Sequence, residues 1–138
     1  MKNPMQRSTL VFTCVALGGA IGAVARHGIT LAMAARGGGG WPGTLAVNLL
    51  GCFLIGVAWR FLDQPEFPPA LRALLVSGLL GAFTTFSAFG LDALSLLESR
   101  RPGLAAAYLL ASVGGGLLLV VLGRAVAAVT AGGGIGGG

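Results

Sequence analysis

Four apolar runs, at about 9–32, 43–62, 70–97 and 103–129, take up most of the sequence and leave room for few architectures. Each reaches the ~20 residues that a helix needs to cross a ~30 Å hydrocarbon core. Lipid offers no partner to a backbone N–H or C=O, so a crossing segment must be a helix or a strand of a closed barrel. Barrel strands read as short stretches of alternating polarity, whereas these runs are continuous. The stretches between them carry helix stoppers: "RGGGGWPG" at 36–43, "DQPEFPP" at 63–69 and "SRRPG" at 99–103. The expected fold is an all-α membrane protein, one domain of four transmembrane helices over 1–138, with a flexible Gly-rich tail at 131–138.

Composition agrees with the bilayer as solvent. Only 9% of the 138 residues are charged, against roughly 25% in a typical soluble domain. Lys2 and Arg7 ahead of the first run, with "AVA" at 23–25, imitate a signal peptide. The run is longer than a signal h-region, however, and three further spans follow it. Cys14 and Cys52 fall inside spans and read as small core residues rather than a disulfide framework.

The net charge of +5 does not imply nucleic acid, because the basic residues are dispersed and form no compact face. Their split between the two sides of the membrane is more telling. With four spans, Lys2, Arg7, Arg60, Arg72 and Arg124 share one side, and Arg26, Arg36, Arg100 and Arg101 the other. Orientation follows the Lys/Arg excess in short loops, and five against four is almost none. Such a chain can insert either way up, and the natural assembly of both orientations is an antiparallel pair. Small-xxx-small spacings at Gly18/Gly22 and Gly19/Ala23 permit close helix approach, either between protomers or within one.

Polar residues inside spans are expensive and tend to be functional. Arg26, toward the end of the first run, either snorkels to the interface or draws anions to a vestibule. His27 beside it is given no role. Asn48 lies at least one turn inside the membrane, where its amide N–H donors serve either a dehydrated anion or a neighbouring helix. Tyr108 and Ser112, four apart, share a helical face and form either a polar track or inter-helix contacts. Asp92 is the one acid well inside a span; a proton-coupled exporter would want a central carboxylate in the first, second or fourth run, and none is there.

The third run contains "GAFTTFSAF" at 81–89, three hydroxyl residues interleaved with three phenylalanines. It is longer than one straight crossing requires, with Gly78, Gly81 and the pair Thr84–Thr85 at its centre. Glycine weakens a helix and threonine hydroxyls compete for its carbonyls, so a break is expected here. Freed carbonyls at mid-membrane are tolerated only when buried in protein or facing a polar cavity. Phe86 and Phe89 are neighbours on one face; they are either core or, because a phenyl edge is electropositive, an attraction for a bare anion.

"GAFTTFSAF", the Asn of "GTLAVN" and the Arg of "GAIGAVARHG" together closely resemble the Fluc (CrcB-type) fluoride channels, across nearly the whole chain. The resemblance implies a dual-topology antiparallel homodimer in the bacterial inner (plasma) membrane with two fluoride pores. Phe86 and Phe89 would line the pores with their ring edges, and Asn48 would donate to the ion. Thr85, Tyr108 and Ser112 would contribute to the polar pathway, and Arg26 would sit at a vestibule. Carbonyls of Gly81 and Thr84 from both subunits would hold a structural Na+ at the dimer centre. The chain departs from the family pattern at Ala88 (commonly Thr), at Asp92 (commonly Glu) and near Gly116 (a second hydroxyl).

The expected function is therefore passive, fluoride-selective export that protects the cell from fluoride. No nucleophile–base constellation or metal-ligand cluster suggests an enzyme. A small dual-topology multidrug exporter is the runner-up, and a non-transporting assembly subunit is a third class. The charge count makes a prediction of its own: reporters fused at the C-terminus should give both cytoplasmic and external populations. Three added Lys on one side should bias insertion and lower activity, and an oppositely biased copy should restore it. A single orientation of the unmodified chain would defeat the antiparallel reading.

Overall fold

The computed structural model describes residues 4–132, so Lys2 and the tail from residue 133 lie outside the described residues. Four spans long and apolar enough to cross a membrane follow one another: Met5–Gly37, Trp41–Leu62, Pro69–Glu98 and Pro102–Thr130. Their limits fall within a few residues of the apolar runs at their centres, and the first extends well beyond its run.

Helix α1, Pro4–Met33, continues through a wide turn at Ala34–Gly38. It ends where Gly37 takes φ +86°, a left-handed conformation that glycine adopts without a Cβ clash. Helix α2, Trp41–Leu62, has Pro42 in its first turn, where a missing N–H removes nothing from the hydrogen-bond ladder. The third span is two helices. Its first part, α3, joins Pro69–Arg72, a π-type stretch at Ala73–Leu80, and Gly81–Phe83; its second, α4, is Phe86–Glu98. Helix α5 runs from Pro102–Leu110 through a second wide turn at Ala111–Gly115 into Gly116–Gly132.

Two glycine crossings set the packing. On α1, a Cβ at Gly18 would strike the Leu74 carbonyl, and one at Gly22 would strike the Leu79 carbonyl. From the other side, a Cβ at Gly78 would lie 2.7 Å from the Val15 carbonyl and 3.0 Å from Gly18 Cα. Helices α1 and α3 thus touch backbone to backbone. Helices α2 and α5 do the same: Gly56 meets the Val120 carbonyl, and Gly123 meets the Phe53 carbonyl. Between helices in lipid there is no hydrophobic drive, so close van der Waals approach of this kind carries the association. The Gly18/Gly22 spacing, read above as open between two uses, packs within one protomer; Gly19 meets nothing within 4 Å. Gly78 likewise serves this contact and not the helix break, which comes later in the span.

A satellite core closes the end of the bundle carrying the 34–40 and 99–101 connections. Phe89, Ala93 and Leu96 of α4 pack on Ala105 and Tyr108 of α5, with Trp41 and Leu45 of α2 against them. The outer surface is apolar, with Phe12, Val24, Leu110 and Val129 among the exposed residues, as lipid permits.

Leucine at Gly22 or Gly123 would force these crossings apart, at a cost of about 1–3 kcal/mol or more. Gly22→Leu and Gly123→Leu should each lower the thermal unfolding midpoint of the purified protein in detergent by several degrees. Gly28→Ala, where a Cβ meets nothing within 4 Å, should leave it in place. Equal midpoints for all three would show that the crossings do not hold the bundle.

Candidate functional site

The break in the third span occupies two residues. Thr84 (φ −86°, ψ 158°) and Thr85 (φ −150°, ψ 124°) are extended. In an unbroken helix the Thr85 N–H would bond the Gly81 carbonyl, and the Ala88 N–H the Thr84 carbonyl. Both donors are diverted. Thr85 N–H donates to Asn48 Oδ1 at 2.8 Å, and Asn48 Nδ2 donates back to the Thr85 carbonyl at 3.0 Å. One side-chain amide on α2 thereby satisfies both polar backbone groups of an extended residue, as a neighbouring strand would. Ala88 N–H donates to Thr85 Oγ1 at 3.2 Å, which makes Thr85 the N-cap of α4. Thr85 Oγ1 also lies 3.2 Å from Ser87 Oγ.

Thr84 closes the other side of the break. Its N–H and its Oγ1 both donate to the Leu80 carbonyl, at 3.0 and 3.1 Å. Its methyl group sits where a Cβ on Gly51 would be, so the glycine makes room for the break against α2. The helical donors of the Gly81 and Thr84 carbonyls are thereby taken elsewhere.

A groove of about 420 Å³ opens at this break, where Asn48, Gly81, Thr84, Thr85, Phe86, Phe89 and Ser112 share the lining with aliphatic side chains such as Ile55, Leu80 and Val113. Seven of the residues singled out from sequence thus meet in one place. Phe86 is 84% exposed whereas Phe89 is buried. Their rings form a tilted pair with centroids 5.4 Å apart, inside the 4.5–7 Å range of favourable aromatic contact. Exposure of a phenyl ring on the protomer surface is inexpensive in lipid.

Tyr108 does not line the groove. It is almost fully buried behind Phe89, at 5.4 Å between centroids. Trp41 meets its other side edge-on at 5.8 Å. The Tyr108 hydroxyl, Ser112 Oγ, Asp92 Oδ2 and Arg26 Nε are buried and have no hydrogen-bond partner among the described residues. The Asp92 carboxylate is a neighbour of the Tyr108 hydroxyl and lies beside Gly40 at the start of α2, where the helix dipole favours an anion. Buried polar atoms left unpaired cost about 1–3 kcal/mol each, and of these four residues Ser112 lines the groove. Arg26 is half-buried on α1 and does not reach the groove lining.

Sequence reasoning missed three contributions. Asn48 was weighed as an ion donor or a helix–helix link; it does link two spans, but as a clamp on the Thr85 backbone that was not foreseen, with one Nδ2 hydrogen left over. Trp41 was passed over as a loop residue, although an aromatic opening a span after a Gly-rich connection is a recognisable interfacial signal. Thr85 as N-cap was legible, since a threonine directly ahead of an amphipathic run is a helix-start signal. Among the departures, Gly116 has a structural reason: a Cβ there would press on Cys52 Sγ at 3.2 Å.

Fold and site together define a polytopic helical membrane protein with a largely apolar cleft, set with a few polar groups, at a broken helix. Residues 13–124 match the family model described as CrcB-like protein, Camphor Resistance (CrcB), and the chain belongs to that family. A relative from Stutzerimonas stutzeri (strain A1501), named fluoride-specific ion channel FluC, is 48% identical over 119 residues, covering 82% of this chain and 93% of the relative. A FluC from Azotobacter vinelandii is 48% identical over 109 residues, covering 75% and 85%. FluC 2 of Geobacillus kaustophilus is 39% identical over 122 residues, covering 86% and 93%.

Asn48→Ala removes both bonds to Thr85 and should destabilise the protein by about 1–3 kcal/mol. Faster amide exchange should be confined to the 84–88 region. Uniform exchange across all spans, or none, would show that Asn48 does not hold the break.

Proposed function

We propose that this protein is a fluoride-selective channel of the bacterial plasma membrane, passing fluoride out of the cell passively and so protecting it. It is a conduit and not an enzyme. The observation that carries this reading is the groove at residues 84–89: a phenylalanine pair, an amide and hydroxyls converge there, in a chain 48% identical to fluoride-specific channels.

The chemistry suits a small, strongly hydrated anion. Ser112 Oγ faces the groove with no partner among the described residues and can donate to the anion; the Tyr108 hydroxyl, beside Asp92 and behind Phe89, supports the path without lining it. Asn48 keeps one N–H beyond its clamp. Ring edges of Phe86 and Phe89 supply positive potential without a fixed charge that would trap the ion. Arg26, outside the groove, acts at longer range by raising the local anion concentration at a vestibule. The driving force lies in the membrane potential, about 2.3 kcal/mol per charge per 100 mV. Fluoride that enters the cell from acidic surroundings as neutral HF ionises in the more neutral cytoplasm, and the inside-negative potential expels it.

The working unit of this reading is an antiparallel homodimer with two pores. The near-equal Lys/Arg count on the two sides supports dual topology. Exposed Phe86 and Gly81 on one face of the protomer support a second copy meeting it there. The carbonyls of Gly81 and Thr84, relieved of their helical donors, suit a hard cation, and paired across two subunits they would hold Na+. Bound there, the ion would offset the cost of unpaired carbonyls at mid-membrane.

Liposomes containing only the purified protein should release fluoride, with chloride release near background. Phe86→Ile and Phe89→Ile keep much of the apolar volume and should cut fluoride flux tenfold or more while the protein stays folded. Asn48→Asp should also cut it, by setting a carboxylate in the anion's path. Parent-like flux in all three variants would remove the pore assignment; proton-coupled drug flux without fluoride flux would replace it with the exporter reading.

A further inference from the structure

The α2/α5 crossing has a consequence at the far end of these helices. Spans two and four run in the same direction. Gly56 meets Val120 and Gly123 meets Phe53 and Val57, so α2 and α5 are locked in register. Arg60 lies one turn past Gly56, and Arg124 one turn past Val120. The register therefore delivers two guanidinium groups to the same level on adjacent helices. They line one pocket of about 250 Å³ with Trp59, Asp63 and Ala128.

Two like charges brought together by backbone packing repel unless an anion lies between them. Asp63 is the only acid in the pocket, and one carboxylate against two guanidinium groups leaves a net positive site. Neither arginine forms an ion pair or hydrogen bond among the described residues, apart from ladder bonds of the backbone. The volume equals about eight waters at ~30 Å³ each, which accommodates a phosphodiester. Its depth is right as well. Leu62 ends α2 and the fourth span ends at Thr130, under two turns past Arg124, so the pocket lies close to the membrane surface, where lipid phosphates sit. Trp59, 46% exposed, is an aromatic of the kind that occupies the interfacial belt. The pocket is remote from the groove at Thr84–Thr85 and shares no residue with it.

We propose that Arg60 and Arg124 form a binding site for the headgroup phosphate of an anionic phospholipid, with Trp59 against the glycerol region. Arginine is suited to this, because its planar fork pairs with two phosphate oxygens at once, and basic pockets between spans recognise anionic headgroups. The inference goes beyond the channel reading and does not depend on it. A zwitterionic lipid brings the same phosphate with a cation attached, so the site should prefer phosphatidylglycerol over phosphatidylcholine.

The full-length protein, purified in a nonionic detergent, is titrated with phosphatidylglycerol, phosphatidylcholine or inorganic phosphate while thermal unfolding is followed. Phosphatidylglycerol should raise the midpoint by several degrees, and the other two by little. Arg60→Gln/Arg124→Gln should weaken the phosphatidylglycerol response at least about tenfold in lipid concentration, whereas Arg100→Gln/Arg101→Gln keeps it. An unchanged response in the Arg60/Arg124 double variant overturns the site, and an equal response to inorganic phosphate overturns the lipid as its ligand. If the double variant does not fold, native mass spectrometry of Arg124→Gln decides. The parent should retain at least one phosphatidylglycerol more than the variant, and equal counts overturn the proposal.

Discussion

The two hydrogen bonds between Asn48 and the Thr85 backbone are the condition on which the centre of this molecule rests. A residue cannot leave a helix in the middle of a membrane without finding new partners for its N–H and C=O, since each one left bare costs several kcal/mol in hydrocarbon. Asn is well suited to the task, because its amide carries an acceptor and a donor in the same geometry as a peptide group. Thr85 then caps α4 through its hydroxyl, and Thr84 closes α3 through its own. The two threonines and the asparagine together turn a prohibitive break into a locally satisfied one. The carbonyls of Gly81 and Thr84 are among those that have lost their helical donors across the break.

The clamp can form only because backbones elsewhere come close. Thr84 presses its methyl group into the space left by Gly51, which is what brings α2 within reach of the break. The α1/α3 and α2/α5 crossings hold the remaining geometry, each built on glycines that meet carbonyl oxygens. Such packing substitutes for the hydrophobic drive that lipid removes. It also explains the composition: 25 glycines in 138 residues would be a liability in a soluble helical protein, whereas here several of them are the contact surfaces themselves. Wide turns at Ala73–Leu80 and Ala111–Gly115 flank the groove on α3 and α5; π-type turns recur at functional sites, where they rotate a helix face relative to its neighbours.

The spans were legible because apolar length is a direct physical requirement of the bilayer, and Pro and Gly mark the stops. The break was legible from hydroxyl content within an apolar run, although its position was read too broadly: Gly78 is spent on packing, and the helix continues through Gly81 to Phe83. Asn48 was visible as an amide that needed partners, but not as a clamp on Thr85, because its partner is 37 residues away in sequence and hydropathy carries no information on pairing. For the same reason the burial of Tyr108 between Phe89 and Trp41 could not be read from its four-residue spacing to Ser112. Periodicity assigns a face; it does not say which neighbour covers it.

The clamp and the proposed anion path share one stretch of chain, and this coupling follows from the chemistry. An anion pathway needs hydrogen-bond donors without a full positive charge, and donors in lipid exist only where a helix is interrupted or a polar side chain is paid for by packing. Interrupting α3 at Thr84–Thr85 supplies both at once. It starts α4 at Phe86, so the first residue of the new helix projects its ring from the groove, and Phe89 follows one turn later with Tyr108 stacked behind it. Shift the break by a single residue and α4 would turn by about 100°, carrying Phe86 and Phe89 off the groove and Thr85 away from Asn48. The position of the aromatic pair is thus fixed by the same two hydrogen bonds that make the break tolerable.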